Sequence, residues 1–144
     1  MTDPRDQYRA TTLRILGNFQ LIEFTLKVYI AFAYRIIAHS TKDLIPFNYS
    51  FSDVESFPLE RLLNIFSKMN ENAALIDRLN KLRKERNHIA HESLLVAAGS
   101  DYDANAVKES EEAFFYLEDE VAECLKALVE ETHTIRGKLP GPMA

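Results

Sequence analysis

Apolar residues recur three and four positions apart from one end of the chain to the other, and no run of β-branched residues alternates with polar ones over the length of a strand. That period predicts an all-α protein. The first periodic stretch, from about Thr2 or Asp3 to His39, has Pro4 in its opening turn. It sets Leu13, Leu16, Phe19, Phe24, Leu26, Ile30, Tyr34 and Ile37 on a wide apolar face, so it should be the spine of the fold. Between Ser40 and Phe57 the period disappears. Phe47, Tyr49, Phe51 and Phe57 stand there among Pro46, Asn48, Ser50 and Ser52, the composition of a long connection partly pinned by aromatic rings. A short helix is predicted from Pro58 to Met69, with Ser56 as its capping candidate and Leu59, Leu62, Leu63 and Phe66 facing inward. A third helix should run from about Asn72 to Ala98 and stop at Gly99. After the polar turn GSDYDAN, a fourth runs from about Asn105 to Ile135, with Val107, Phe114, Leu117, Val121, Leu125 and Leu128 on its apolar side. The architecture this predicts is an up-down four-helix bundle with an extra short helix, one domain over residues 1–136, followed by GKLPGPMA, residues 137–144, as a flexible tail.

Length and composition fit one such domain: 144 residues, 47% of them hydrophobic, bury enough surface for a core that needs no staple. Cys124 stands alone, which rules out an intrachain disulfide and suits a reducing cytoplasm; its place in the apolar period marks it as a small core residue. Met1 to Gln20 is studded with charge, unlike a secretory leader. The most apolar stretch, Leu21 to Ala38, is interrupted by Glu23, Lys27 and Arg35, too many charges for an unaccompanied membrane span, so no membrane association is expected. A net charge of −5 argues against binding nucleic acid through the overall field. Affinity for RNA would then rest on a local run, Arg78, Lys81, Arg83, Lys84 and Arg86 against the single acid Glu85, unless that run is simply a solvated helix face.

Two charges fall where packing favours leucine. With about 100° per residue, Leu75, Leu79, Leu82 and Ile89 form one stripe of the third helix, and Arg86 lies within it. Glu23 is likewise flanked by Leu16, Phe19, Leu26 and Ile30 on the first helix. A guanidinium cannot shed its proton, so in a dry seam it must meet a carboxylate, carbonyl oxygens, water or an anionic ligand, or else snorkel to the rim. Glu23 is the predicted partner of Arg86, either as a plain salt bridge or as the group that orients the arginine. His91 comes five residues later, a swing of about 140° on an ideal helix. For both to touch one phosphate the helix must be distorted, the arginine must reach around, or a second copy of the chain must contribute across a twofold axis. Asn87, four residues before His91, is placed to orient the imidazole, and His88 reads as a surface or supporting residue.

His88, His91 and Glu92, with His39 and His133 elsewhere, do not make a metal motif: HIAHE is not HExxH, and a single cysteine excludes the usual structural zinc sets. Four scattered glycines form no phosphate loop or dinucleotide fingerprint, so neither metal nor cofactor is expected. Phosphodiester cleavage by a ribose 2′-hydroxyl suits these residues better. It needs a base, an acid for the leaving 5′ oxygen, and a fixed cation for the charge that builds on phosphorus; histidine serves the proton transfers and arginine the charge.

RNHIAH, Arg86 to His91, resembles the R-x4-6-H signature of HEPN domains (higher eukaryotes and prokaryotes nucleotide-binding), including a polar residue directly after the arginine. The likeness extends to the long first helix with its inward Glu23 and to an all-α layout over nearly the whole chain. It implies a homodimer whose two motifs line one cleft and, in active members, a metal-independent endoribonuclease that leaves a cyclic phosphate end. Many such members are toxins or phage-defence effectors, often restrained by a nucleotidyltransferase antitoxin. By that likeness Arg86 and His91 would be catalytic, with Asn87, Glu23 and His88 supporting and Arg78, Lys81, Arg83 and Lys84 holding RNA. The alternative is a catalytically silent module that binds a nucleotide or partner protein through the same cleft, as other members of the family do.

Overall fold

The computed structural model describes the backbone of residues 4–98 and 104–141 and the side chains of residues 6–88 and 115–141. It is all-helical, and no strand occurs among the described residues. Five helices follow in order: α1 (Pro4–Thr41), α2 (Phe51–Val54), α3 (Leu59–Ser67), α4 (Ala73–Ala98) and α5 (Ala104–Arg136). Residues 99–103, with the Gly99 stop and most of the expected turn, lie outside the described residues, as do the side chains of Ile89, Val107 and Phe114; the last two turn positions, Ala104 and Asn105, belong to α5.

Helix α1 is about 57 Å long at 1.5 Å per residue and packs most extensively on α5. Its buried positions are Tyr8, Thr12, Ile15, Phe19, Ile22, Leu26, Tyr29 and Ala33, with Thr11 and Ile30 beside them. The steps are four, three, four, three, the heptad seam of helices packed side by side. The core is turned only part of the way from the expected face, of which Phe19, Leu26 and Ile30 are buried and Leu16, Tyr34 and Ile37 half-buried. Leu13 (70% exposed) and Phe24 (55% exposed) point outward. The two inward threonines explain the shift, because hydropathy discounts them, yet Thr12 satisfies its hydroxyl by donating to the Tyr8 carbonyl at 2.8 Å.

Paired positions give the helix directions. Arg14 meets Glu118, and about 18 residues further along both helices Phe32 and Arg136 line a common groove, so α1 and α5 run parallel. Asn72 meets Glu131 and Arg78 meets Glu120, so α4 runs against both. The framework is therefore three long helices with the nine-residue α3, short as expected, packed on α1 and α4; because α5 runs parallel to α1, the long helices do not follow the strict up-down order expected of a four-helix bundle. The physical reason is the segment after α1. Phe47 and Tyr49 stack against Tyr34 and each other, which fastens the connection to α1 as a loop. Only 51–54 becomes helical there, where the Asp53 carboxylate accepts the Ser50 backbone N–H at 2.7 Å. The α3 cap is Pro58 with extended backbone, not Ser56.

Leu59, Leu62, Leu63 and Phe66 of α3 are buried as expected and join Leu75, Leu79 and Leu82 of α4 and Val121, Cys124 and Leu128 of α5 in one core. The chain after α5 is tied for a further turn: Gly137, Lys138 and Leu139 donate their backbone N–H groups to His133, Ile135 and Arg136 carbonyls. No helix among the described residues is long and apolar enough to cross a membrane.

Candidate functional site

Arg86 occupies the next step of the α4 seam after Leu75, Leu79 and Leu82, at spacings of four, three and four. Its guanidinium lies 3.1 Å from Glu23 Oε1 across the α1–α4 boundary, so the pair that the two sequence oddities predict is formed. The Glu23 side chain keeps 20% of its exposure and that of Arg86 keeps 38%. Glu23 Oε1 is itself enclosed and receives no directed hydrogen bond, so the attraction is one of charge with the N–H groups pointing off the line to the oxygen. Among the described residues, Glu23 holds the guanidinium by charge, and its fork makes no directed hydrogen bond.

Arg78 is the contrasting case. Its Nε and Nη2 donate to the two Glu120 oxygens at 2.7 and 2.9 Å, and Nη2 also donates to Glu123 at 2.9 Å. This closed fork holds the Glu120 carboxyl below the usual carboxylate range and raises the arginine further. Lys81 pairs with Asp77 at 3.1 Å and Arg83 with Glu60 at 3.7 Å. The basic run is not one patch, because at 100° per residue positions 78, 81, 83, 84 and 86 go right round the helix. Of the four residues expected to hold RNA, Arg78, Lys81 and Arg83 are neutralised within the chain, and Lys84 is exposed with no ion pair among the described residues.

Asn87 and His88 are both exposed. The His91 side chain lies outside the described residues, but the backbone is regular α-helix from Ala73 to Ala98, with no π-turn or break. Position 91 therefore sits about 140° from Arg86, on the side shared with Lys84 and Asn87. Distortion of α4 is removed as a way to bring Arg86 and His91 to one phosphate, which leaves a long reach or a second copy.

A second polar constellation escaped the sequence. Glu131 of α5 accepts an amide N–H from Asn70 at 3.1 Å and from Asn72 at 2.9 Å. Asn70 also donates to the Tyr29 hydroxyl, which in turn donates to the Met69 carbonyl, and Asn72 Oδ1 accepts the Leu75 N–H at the start of α4. Burial raises the Tyr29 hydroxyl above its ordinary pKa. These groups line an open cavity of about 590 Å³ together with Lys138. The polar groups of Tyr29, Asn70, Asn72 and Glu131 are partnered with one another and with backbone, so the network ties α1, α4 and α5 together and caps α4. The available signal was Glu131 standing seven residues after Cys124, on the buried side of α5. Cys124 is fully enclosed and its thiol is pushed up to about 12, chiefly by burial, so it stays protonated and inert at neutral pH. No group of three or more His, Cys, Asp or Glu side chains among the described residues is placed to hold a metal ion. Compared with protein-family models, curated proteins and solved structures, the chain matches none.

Proposed function

We propose that the chain is a metal-independent endoribonuclease of HEPN type, a helical bundle that acts as a homodimer in the cytoplasm and is a toxin or defence effector. The reading is supported by one observation above all: Arg86 stands in the α4 seam, charge-balanced by Glu23 at 3.1 Å, with a fork that Glu23 does not engage in directed bonds. Such an arginine is prepositioned and only partly desolvated, which suits a group that exchanges part of one carboxylate's attraction for two phosphate oxygens. His91 then serves as acid and base. Because position 91 turns away from Arg86 on an unbroken helix, the histidine that completes each site comes from the second copy. Asn87 orients that ring, while His88 and Lys84 lie on the same outer side and meet the RNA backbone.

The neutralised basic run favours a second reading, a silent module that binds a nucleotide or a partner protein such as a nucleotidyltransferase antitoxin, because three of the four expected RNA contacts are already spent on acids. The two separate in one assay. Purified protein incubated with mixed RNA in excess EDTA should cut it and leave 2′,3′-cyclic phosphate ends. RNA that stays intact across salt and pH, or cutting that EDTA stops, removes the nuclease reading.

A further inference from the structure

The open cavity between α1, α5 and the α3–α4 turn has two unlike halves. Ala33, Ile36, Ile37, Met69 and Ile135 make one wall apolar, and the network on Glu131 makes the other polar. A volume of about 590 Å³ is that of a site for a small organic molecule. Capping accounts for Asn72, whose Oδ1 takes the Leu75 N–H, and the tie between the α3–α4 turn and α1 accounts for Asn70 and Tyr29. Neither accounts for a carboxylate at position 131. A neutral carbonyl oxygen could accept both amides without carrying a charge into a half-buried place. No lysine or arginine among the described residues forms an ion pair with Glu131. Lys138 lines the same cavity but is exposed and is not that partner.

We propose that this cavity binds a small organic amine, with its ammonium on Glu131 and its apolar body along Ile36, Ile37 and Met69. Each carboxylate oxygen has two acceptor positions, and Asn70 and Asn72 take one on each, at 3.1 and 2.9 Å. One position on each oxygen is left, on a group the two amides already orient. The Tyr29 hydroxyl supplies a third acceptor: it gives its proton to the Met69 carbonyl, one lone pair takes the Asn70 amide, and the other is left. The Tyr29 oxygen and Glu131 Oε2 each stand 3.1 Å from the Asn70 amide nitrogen. The spacing that lets this one nitrogen touch both oxygens lets an ammonium do the same from the cavity side. Three acceptors match the three N–H donors of a primary ammonium. A metal ion is matched poorly, because no set of three His, Cys, Asp or Glu side chains surrounds it among the described residues and one wall is apolar. An anion is disfavoured too, since Glu71 joins Glu131 in the lining against the single cation Lys138. Asn72 stands fourteen residues from Arg86, about 21 Å along α4, so the proposal does not rest on the cleavage reading.

Nuclear magnetic resonance of the full chain, titrated separately with hexylamine, 1-hexanol, hexanoate and ammonium chloride to about 10 mM, tests the site. Hexylamine should bind saturably with a Kd of about 1 mM or tighter, moving the side-chain amide signals of Asn70 and Asn72 and the Met69 methyl. 1-Hexanol and ammonium chloride, which each carry half of the ligand, should bind at least about tenfold more weakly, and hexanoate should leave those signals in place. Glu131→Gln should weaken hexylamine at least about tenfold. Because that change also disturbs the α4 cap, Thr134→Lys is its companion. Position 134 is exposed, lines the cavity and lies one turn beyond Glu131, so a lysine there brings a tethered ammonium to the carboxylate without entering the core. It should weaken hexylamine at least about tenfold and raise the melting temperature, as an occupied site does. Hexylamine that moves no cavity signal, 1-hexanol that binds as tightly as hexylamine, or an unchanged Kd in the Thr134→Lys chain would each overturn the proposal.

Discussion

Arg86→Ala should lower RNA cleavage by about two to three orders of magnitude, the usual cost of removing a preorganised charge from a phosphoryl or acyl transition state. His91→Ala should lower it by about 10² to 10⁴ through loss of proton transfer. The two differ in what they do to folding. His91 lies on the side of α4 away from its core seam, so its replacement leaves the melting midpoint nearly unchanged, whereas Arg86→Ala strands Glu23, whose side chain keeps 20% of its exposure, without its counter-ion. Since Arg86 is more than a third exposed, solvent screens part of that loss, and about 1 kcal/mol is the appropriate scale. Arg86→Lys separates charge from shape, because a lysine keeps the attraction to Glu23 but cannot present two donors in a plane, so cleavage should stay low while stability recovers. Initial rates on labelled RNA in EDTA, with circular dichroism on the same samples, check all three. Cleavage by Arg86→Ala at the wild-type rate would remove the arginine from the mechanism.

Phe66→Ala should be the most destabilising single change in the core, by about 3 to 5 kcal/mol. Phe66 is fully buried and its ring meets Tyr29 edge-on at 4.8 Å. The cost includes more than lost apolar area, because Tyr29 also holds the Met69 carbonyl and accepts from Asn70, which reaches Glu131. A cavity beside Tyr29 loosens the ring that anchors the α3–α4 turn to α1 and α5, so the effect should spread to the start of α4. Chemical denaturation gives the free energy. Hydrogen exchange at Leu75 and Ile76 should show whether the α4 cap is lost with it. A loss below about 1 kcal/mol would mean that α3 is an ornament on the three long helices and not part of their core.

The helices themselves were legible because their signals are local and repeated: Pro4, Pro58 and Asn72 mark starts within two residues of those observed, and apolar spacing does the rest. Which face of α1 is buried was harder to read. Two apolar strips run along that helix, and the one with Phe24 and Leu13 is the more hydrophobic, while the true core strip includes Tyr8, Thr11 and Thr12, whose burial depends on backbone acceptors and neighbours that composition does not reveal. Helix direction was also beyond the pattern, since the parallel run of α1 and α5 depends on how residues 42–58 lie along α1. At the site, Arg86 and Glu23 were legible because a charge in a seam breaks a rule, and the rule-breaking residues sought each other. The basic run misled for the opposite reason: contiguity in sequence is not contiguity in space on a helix, and the acids that occupy Arg78 and Arg83 come from α5 and α3, 20 to 45 positions away.

The claim at the centre is that Arg86, poised on Glu23, receives a phosphate, whereas Arg78, clamped by Glu120 and Glu123, does not. Affinity for a single-stranded RNA oligonucleotide with its 2′-hydroxyls blocked, measured at several salt concentrations, tests it without any chemistry taking place. Arg86→Ala should weaken binding at least about tenfold and lower the salt dependence by about one phosphate contact, while Arg78→Ala costs stability and leaves binding within about twofold. Equal affinity for wild type and Arg86→Ala, with the same salt slope, would contradict the account.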